Sequence, residues 1–332
     1  MGAVMPVPLS ILDQSPIVAG ATAGDAITAT IALARAAEAL GYRRFWLAEH
    51  HAIASLADAT PEVLLGRLTG ETTRIRLGTG GIMLPHYSAF KVAESFRMLE
   101  ALAPGRIDLG VGRAPGGTQL VARAMQSRDA ALFPQQIADV LAYLRPSHTA
   151  APTLIAQPSG ATAPPVWVLG SSDYGANLAA EFGLPYTFAQ FIGGDHPQVT
   201  RGYRERFTAS AAGDAPYVMV ALAAIVAPTD DEAERLALPS LLARMRQLRG
   251  LSAPVPSLAE AEAYPWTRLE LDEAIRSRNM LIGSPATVCA KIDAVAERYG
   301  ADEIMIITIA PDVETRLRSY ALLAEAYAAV AA

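Results

Sequence analysis

Short runs of aliphatic and β-branched residues recur along the chain. Each is followed by a longer stretch whose apolar positions repeat at helical spacing. The runs fall at 7–13, 45–48, 75–82, 107–111, 166–169, 186–189, 218–226 and 304–309. The helical stretches that answer them are 25–40, 61–69, 88–102, 129–144, 173–182, 197–209, one opening at Thr229, and a last one from Asp312. In the first helix Ile27, Ile31, Ala34 and Leu40 share a face and Gly41 supplies the stop. Thr229 and Glu232 have capping-box spacing. The Pro/Ala/Ser/Gly-rich stretch 146–165 reads as a loop.

The alternation is interrupted once. Residues 250–282 hold three prolines, mixed charges and a weak helix near 271–278. A stretch this long between regular elements has the character of a lid. Ser284 and Pro285 then restart a helix that runs to Tyr299, with serine at the cap and proline in the first turn.

Eight strand–helix units in alternation predict a parallel sheet with right-handed crossovers, and eight is the number that closes a (β/α)8 TIM barrel. The fold class is therefore α/β, one barrel domain over 1–332, with the insertion 250–282 ahead of the last strand–helix unit. A doubly wound open sheet would carry a glycine fingerprint after its first strand. Here that segment reads Gln14-Ser15-Pro16-Ile17-Val18-Ala19-Gly20.

Composition narrows the classes. The chain has 332 residues, of which 52% are hydrophobic, and a mean hydropathy of +0.24. No stretch approaches the roughly 18 apolar residues of a membrane span, and disorder is excluded by the same apolar content. The net charge of −6 lacks the basic footprint of a nucleic-acid binder. The single cysteine, Cys289, can form neither an internal disulfide nor a thiolate metal site and reads as a small core residue. Met1 to Pro8 has no basic n-region and no apolar h-region, so no secretory leader is expected, and the expected location is the cytoplasm.

In a barrel the chemistry lies at the C-terminal ends of the strands. The polar residues there are Asp13, Gln14 and Ser15 after the first strand, and Glu49, His50 and His51 after the second. Gly80, Gly81 and His86 follow on the third, Arg113 on the fourth, Ser171, Ser172 and Asp173 on the fifth, and Gln190 on the sixth. One imidazole of the His50–His51 pair suits general acid–base work. A metal site is the weaker reading, because adjacent histidines in an extended segment point to opposite sides. Gly80 and Gly81 serve either close packing or the approach of a flat ligand to the backbone. Arg113, framed by glycines, suits a phosphate or carboxylate, against the alternative of a surface ion pair. The turn Gly170-Ser171-Ser172-Asp173-Tyr174-Gly175 is an anion site at a helix N-terminus, or ordinary capping. Taken together, Arg113 and the serine turn predict a phosphate clamp between strands four and five.

These motifs occur in order. Phe45-Trp-Leu-Ala-Glu-His-His51 comes first, then Leu77-Gly-Thr-Gly-Gly-Ile-Met-Leu-Pro85 and Lys91-Val-Ala-Glu94. Pro104-Gly-Arg-Ile-Asp-Leu-Gly-Val-Gly-Arg113, Val168-Leu-Gly-Ser-Ser172 and Gly300-Ala-Asp-Glu-Ile304 complete the set. Across nearly the whole chain the set resembles the bacterial luciferase-like flavin-dependent monooxygenases, and most closely their small single-chain oxidoreductases. The resemblance implies FMN at the barrel mouth, with His50 as the active-site histidine and His51 and Glu49 beside it. It implies a non-proline cis peptide at Gly80–Gly81 beneath the flavin, Arg113 on the flavin phosphate, and Gly170, Ser171, Ser172, Tyr174 and Gly175 around that phosphate. Gly112 stands where true luciferases carry a reactive cysteine.

The expected activity is oxidation of a small, hydrophobic organic substrate with O2. Reduced FMN would come from a separate NAD(P)H flavin reductase, no metal would take part, and the assembly would be a homodimer. A deazaflavin-dependent dehydrogenase and a flavin-binding protein without turnover are the alternatives.

Overall fold

A computed structural model describes residues 7–144, 154–160 and 162–331. Eight parallel strands close into a barrel: β1 (Leu9–Asp13), β2 (Arg44–Leu47), β3 (Arg76–Thr79) continued by β4 (Ile82–Met83), β5 (Ile107–Gly112), β6 (Val166–Gly170), β7 (Tyr186–Ala189), β8 (Val218–Val226) and β10 (Glu303–Ile307). Closure comes from β10, which pairs with β1 on one side and β8 on the other. All nine residues of β8 are buried, as are all of β2 and β5. Burial on both faces explains why these strands read as unbroken apolar runs.

The helices form the outer ring: α1 (Ala23–Ala39), α2 (Pro61–Thr69), α3 (Ala89–Leu102), α4 (Gln119–Ala124), α5 (Phe133–Leu144), α6 (Asp173–Phe182), α7 (Gln190–Gly193), α8 (Pro197–Arg206), α9 (Asp230–Leu248), α10 (Leu258–Ala263), α11 (Arg268–Arg278), α12 (Pro285–Tyr299) and α13 (Val313–Ala331). None of them is long and apolar enough to cross a membrane.

Four sequence expectations are corrected. The run 75–82 is two strands, Arg76–Thr79 and Ile82–Met83, separated by Gly80 and Gly81, whose peptide bond is cis as the resemblance implied. The first helix starts two residues early, since Thr22 supplies the cap and Asp25 answers it reciprocally. The helix expected over 129–144 begins at Phe133. Pro134 has no N–H to donate backwards and so sits in the first turn; Asp129 instead caps a short 3-10 turn, Ala130–Leu132. The stretch 250–282 contains two helices and a strand rather than one weak helix. The loop expected over 146–165 lies partly outside the described residues, and its described portion is irregular.

The insertion is pinned along its length. Val255 hydrogen-bonds to Ile17 and Ala19 of the β1–α1 loop, and Ser252 Oγ accepts from Ala54 N–H. Glu260, Glu262 and Glu270 pair with Arg246, Arg235 and Arg249 of α9 and its C-cap. Strand β9 (Leu281–Gly283) adds to the far end of β8.

The barrel lumen is filled from below. Arg44 reaches Asp108 at 2.8 Å and Glu303 at 2.9 Å, Trp46 Nε1 donates to Asp108 at 3.1 Å, and Tyr217 donates to Glu303 at 2.7 Å. Each buried carboxylate is thus both paired and hydrogen-bonded, the condition under which burial of charge is tolerated. Above this polar base Trp46 and Trp167 meet edge-to-face at 5.2 Å among Leu12, Met219 and Met305. The unfilled space is at the top, where the C-terminal ends of the strands open.

Candidate active site

The packing of β3 and β5 shapes the floor of that opening. A Cβ on Gly78 would lie 2.5 Å from Trp46 Nε1, one on Gly80 2.5 Å from Leu12 Cδ1, and one on Gly81 2.8 Å from Gly110 O. Packing alone therefore requires these glycines. They also leave a surface without side chains, and Gly80 and Gly81 face a cavity of about 260 Å³ at the barrel mouth. Leu12, Met83, Leu169, Ala189, Phe191 and Ala221 line it with apolar surface. Gly112 opens onto the same space, where a Cβ would meet nothing closer than Met83 Sδ at 3.7 Å.

The other end of the cavity is polar. Gly110 and Val111 on β5 register with Trp167 and Val168 on β6, which brings Arg113 level with Gly170. The Arg113 guanidinium lies over the Tyr174 ring, 4.0 Å from its centroid. No carboxylate among the described residues pairs with Arg113, which is exposed to the cavity mouth. Ser172 takes the extended conformation of an N-cap, yet its side chain caps nothing, so the first N–H groups of α6 have no side-chain partner there. Gly170, Ser171, Ser172, Tyr174 and Gly175 all line the cavity. All eight residues expected to hold a cofactor thus face one space. Its unpaired cation beside an uncapped helix N-terminus fits a phosphate, and its apolar remainder fits a flat ring system.

Glu49, His50 and His51 are not among the lining residues. Glu49 is wholly buried and takes three hydrogen bonds: from Met83 N–H at 2.9 Å, Tyr87 Oη at 2.8 Å and His51 Nε2 at 2.7 Å. It is a clamp behind Met83, which itself lines the cavity. His86 Nε2 donates to Pro115 O at 2.8 Å, and His86 Nδ1 meets Ser127 Oγ at 2.5 Å. Glu49, His51 and His86 offer ligand atoms within 4.8 Å of one another. Hydrogen bonds already engage Glu49, His51 Nε2 and both His86 nitrogens, so the cluster is built as a network rather than as an open metal site. His50 differs, because its Nδ1 is buried with no partner. Burial first, and His51 second, push its pKa down to about 4, which keeps the ring neutral at pH 7.

Asp13 is also consumed internally. It pairs with Arg316 of α13 and accepts from Thr30 at 2.7 Å. Sequence reasoning missed Thr187 on β7, which lines the cavity with its Oγ1 buried and unpartnered. Gln190, at the start of α7, likewise has a buried, unpartnered Oε1. A larger groove of about 650 Å³ lies between α2 and α3 and shares no lining residue with this cavity. The smaller cavity is the candidate site, because the cation, the uncapped helix and the glycine floor converge there.

Known proteins share this fold over nearly the whole chain. The profile described as luciferase-like monooxygenase matches residues 7–303. The luciferase-like monooxygenase of Escherichia coli (strain K12) is 37% identical, covering 94% of this chain and 95% of its own. The N-acetyl-S-alkylcysteine monooxygenase of Bacillus subtilis (strain 168) is 37% identical, covering 96% and 97%. The crystal structure of apo-MsnO8 superposes with a TM-score of 0.91 at 36% identity, covering 98% of each chain. Similarity of fold alone extends to an FMN complex of the oxygenating constituent of 3,6-diketocamphane monooxygenase (TM-score 0.72, 20% identity). It also reaches an F420-dependent secondary alcohol dehydrogenase (TM-score 0.64, 16% identity).

Proposed function

The chain belongs to the luciferase-like monooxygenase family, and we propose that it is an FMN-dependent monooxygenase acting on a small, apolar organic substrate. The observation that carries this reading is the convergence of Arg113, the Ser171–Ser172 turn and the Gly80–Gly81 floor on one cavity. Arg113 and the α6 N-terminus would hold the phosphate, and the glycine floor with Leu12, Met83 and Ala221 would receive the ring. Reduced FMN, delivered by a separate NAD(P)H flavin reductase, would supply the two electrons that split O2 between product and water.

The chain's own residues exclude water and hold protons. Apolar walls at Phe191 and Ala221 keep the reacting space dry. His50, outside the cavity lining, stays neutral near pH 7 with a buried, unpartnered Nδ1, and would exchange protons with the site only through movement of the intervening wall. Glu49 and His51 fix the wall at Met83 instead of meeting substrate. The insertion 250–282 backs α7, with Ala274 and Met280 in the same apolar cluster as the cavity residue Phe191, so any lid movement would act through that contact. A thioether such as an N-acetyl-S-alkylcysteine belongs in the first substrate screen because a full-length relative is named for it. A need for reductase and NAD(P)H would suit a cytoplasmic enzyme, and the exposed Val63 on α2 with Met98 and Leu102 on α3 supports a homodimer.

The purified chain should bind FMN in a fluorescence titration and bind a deazaflavin more weakly. Supplied with reductase, NADPH and a screened substrate under ¹⁸O2, it should put one labelled atom into product. Tighter binding of the deazaflavin, or oxygen consumption without labelled product, would overturn the reading.

A further inference from the structure

The turn that follows β6 is held in shape by residues that do not reach the cavity. Tyr186, the first residue of β7, is wholly buried, and it pairs in register with Val168 of β6. Its ring lies beneath the turn, and its hydroxyl donates to Ser172 O at 3.2 Å. A Cβ on Gly170 would sit 3.3 Å from the Tyr186 hydroxyl, and one on Gly175 would sit 3.4 Å from Tyr186 Cε2 and 3.5 Å from Gly170 Cα. The turn thus closes on itself directly over the tyrosine. Glycine at its two ends serves contact with Tyr186 as much as any contact with a ligand.

A second contact comes from the side. A Cβ on Gly193 in α7 would lie 2.7 Å from Ser171 O and 2.8 Å from Ser171 Cβ, closer than real contacts allow. Helix α7 therefore abuts Ser171 backbone to backbone, and any side chain at 193 would push the turn. Neither Tyr186 nor Gly193 lines the cavity, whereas Ser171 and Ser172 do.

We infer that Tyr186 and Gly193 are positioning residues that hold the Gly170–Gly175 turn in the shape that reads a terminal phosphate monoester, so that β7 and α7 set the preference for phosphorylated over dephosphorylated flavin. This rests on the reading of FMN as cofactor. Arg113 supplies the charge, but the turn's N–H groups must sit at the correct height beside it. Tyr186 sets that height from below and Gly193 from the flank. Burial pushes the Tyr186 hydroxyl far above its ordinary pKa, so it remains a donor throughout the neutral range.

The test compares two flavins on two variants of the full chain. FMN and riboflavin are titrated by flavin fluorescence against wild type, Tyr186→Phe and Gly193→Ala, with thermal unfolding recorded as a check on folding. Wild type should bind FMN more tightly than riboflavin. Each variant should lose about three- to tenfold in FMN affinity, the scale of one weakened hydrogen-bonding arrangement, with riboflavin affinity held within about twofold. An unchanged FMN-to-riboflavin ratio in both variants, or equal weakening of both flavins, overturns the inference alone. Wild type that binds neither flavin overturns the cofactor reading and the inference together. Should Tyr186→Phe fail to fold, Gly193→Ala decides the matter, because it adds one methyl and removes no hydrogen bond.

Discussion

Arg113 and Tyr174 come from different strand–helix units, and the guanidinium of one covers the ring of the other at 4.0 Å. The stack holds the cation at the cavity mouth without a carboxylate partner. A guanidinium kept this way is oriented but not neutralised, and cation–π contact at an exposed site contributes only about 0.5–1 kcal/mol. It is therefore available to a phosphate, which offers bidentate, charge-assisted bonds. Arg113→Gln should lower FMN affinity by about ten- to a hundredfold, equivalent to one or two charge-assisted hydrogen bonds. Riboflavin affinity should change little. Fluorescence titration at two salt concentrations checks this, and the loss should shrink at high salt because screening already weakens the wild type.

Glu49 leads to a different kind of prediction. Its carboxylate accepts from Met83 N–H, Tyr87 and His51, and it is wholly sequestered. In Glu49→Gln the amide NH2 must face one of those donors, leaving a buried donor unmatched. The expected cost is about 1–3 kcal/mol of folding stability, read from urea unfolding. Flavin affinity should fall only through displacement of Met83. If instead the variant keeps full stability and loses turnover, Glu49 is a catalytic group and not a clamp.

Burial shifts His50 and Asp58 in opposite directions. Their main chains meet, with the His50 backbone N–H donating to the Asp58 backbone carbonyl at 3.1 Å. Burial pushes His50 down to about 4, with His51 adding to the effect. Burial pushes the Asp58 carboxyl up to about 7, reinforced by Asp13, Glu62 and Glu49 and opposed by a hydrogen bond from Thr60. For His50 the folded pKa lies below the unfolded one. Its contribution is therefore full above about 6.5 and is lost as pH falls through about 4. For Asp58 the folded pKa lies above the unfolded one. Its contribution is full below about 4 and is lost as pH rises through about 7. The slopes oppose each other across the same window. Asp58→Asn should leave a chain whose stability rises more steeply with pH between about 4 and 7 than wild type. His50→Gln should give one whose stability falls across it. Chemical denaturation at three pH values decides this, and parallel profiles for wild type and both variants would refute it.

The barrel was legible because burying both faces of a parallel strand leaves a plain record: eight apolar runs, each answered by a helix. What was hidden depended on contacts distant in sequence. The run 75–82 looks continuous in hydropathy, and only the family resemblance pointed to the cis peptide at Gly80–Gly81 within it. Helices α10 and α11 lie among prolines at 254, 256 and 265, and they depend on pairing with arginines at 235, 246 and 249. In the site, Arg113 and the 170–175 turn stood out because glycine, serine and arginine cluster at those strand ends, and the fold brings both to one cavity. Glu49 and His51 looked like catalytic groups for the same reason. The Glu49 partners Met83 and Tyr87 lie more than thirty residues onward, and only the fold shows Glu49 held by them and by His51. Thr187 is one β-branched residue within a strand, and only the fold shows that its hydroxyl is left facing no partner.

That hydroxyl gives a prediction whose sign changes with the ligand. A buried polar atom without a partner costs folding free energy, so Thr187→Val, nearly identical in shape, should leave the ligand-free chain as stable as wild type or more so. If the hydroxyl meets a polar atom of the bound flavin, the same change should weaken FMN and riboflavin alike by about three- to tenfold, one hydrogen bond's worth. Equal loss for both flavins separates this residue from Arg113, whose effect is confined to the phosphate. A variant that binds both flavins as wild type does would place Thr187 in the packing of the lumen.

The last prediction concerns the outer surface. Val63 on α2 and Met98 and Leu102 on α3 are 69%, 52% and 57% exposed, and they border the groove of about 650 Å³ that also includes Lys91, Glu62 and Glu94. Leaving three large apolar side chains in water forgoes about 1.5–3 kcal/mol each, and apolar surface rimmed by charge marks an association face. A two-fold pairing of this face would bury each copy's stripe against its partner's and set Lys91 of one copy near acidic groups of the other. Sedimentation at micromolar concentration should give a dimer. Val63→Asp combined with Met98→Asp should give a monomer that still binds FMN, because the groove shares no lining residue with the barrel-mouth cavity. A wild-type monomer, or a dimer that survives both substitutions, would remove this face from consideration.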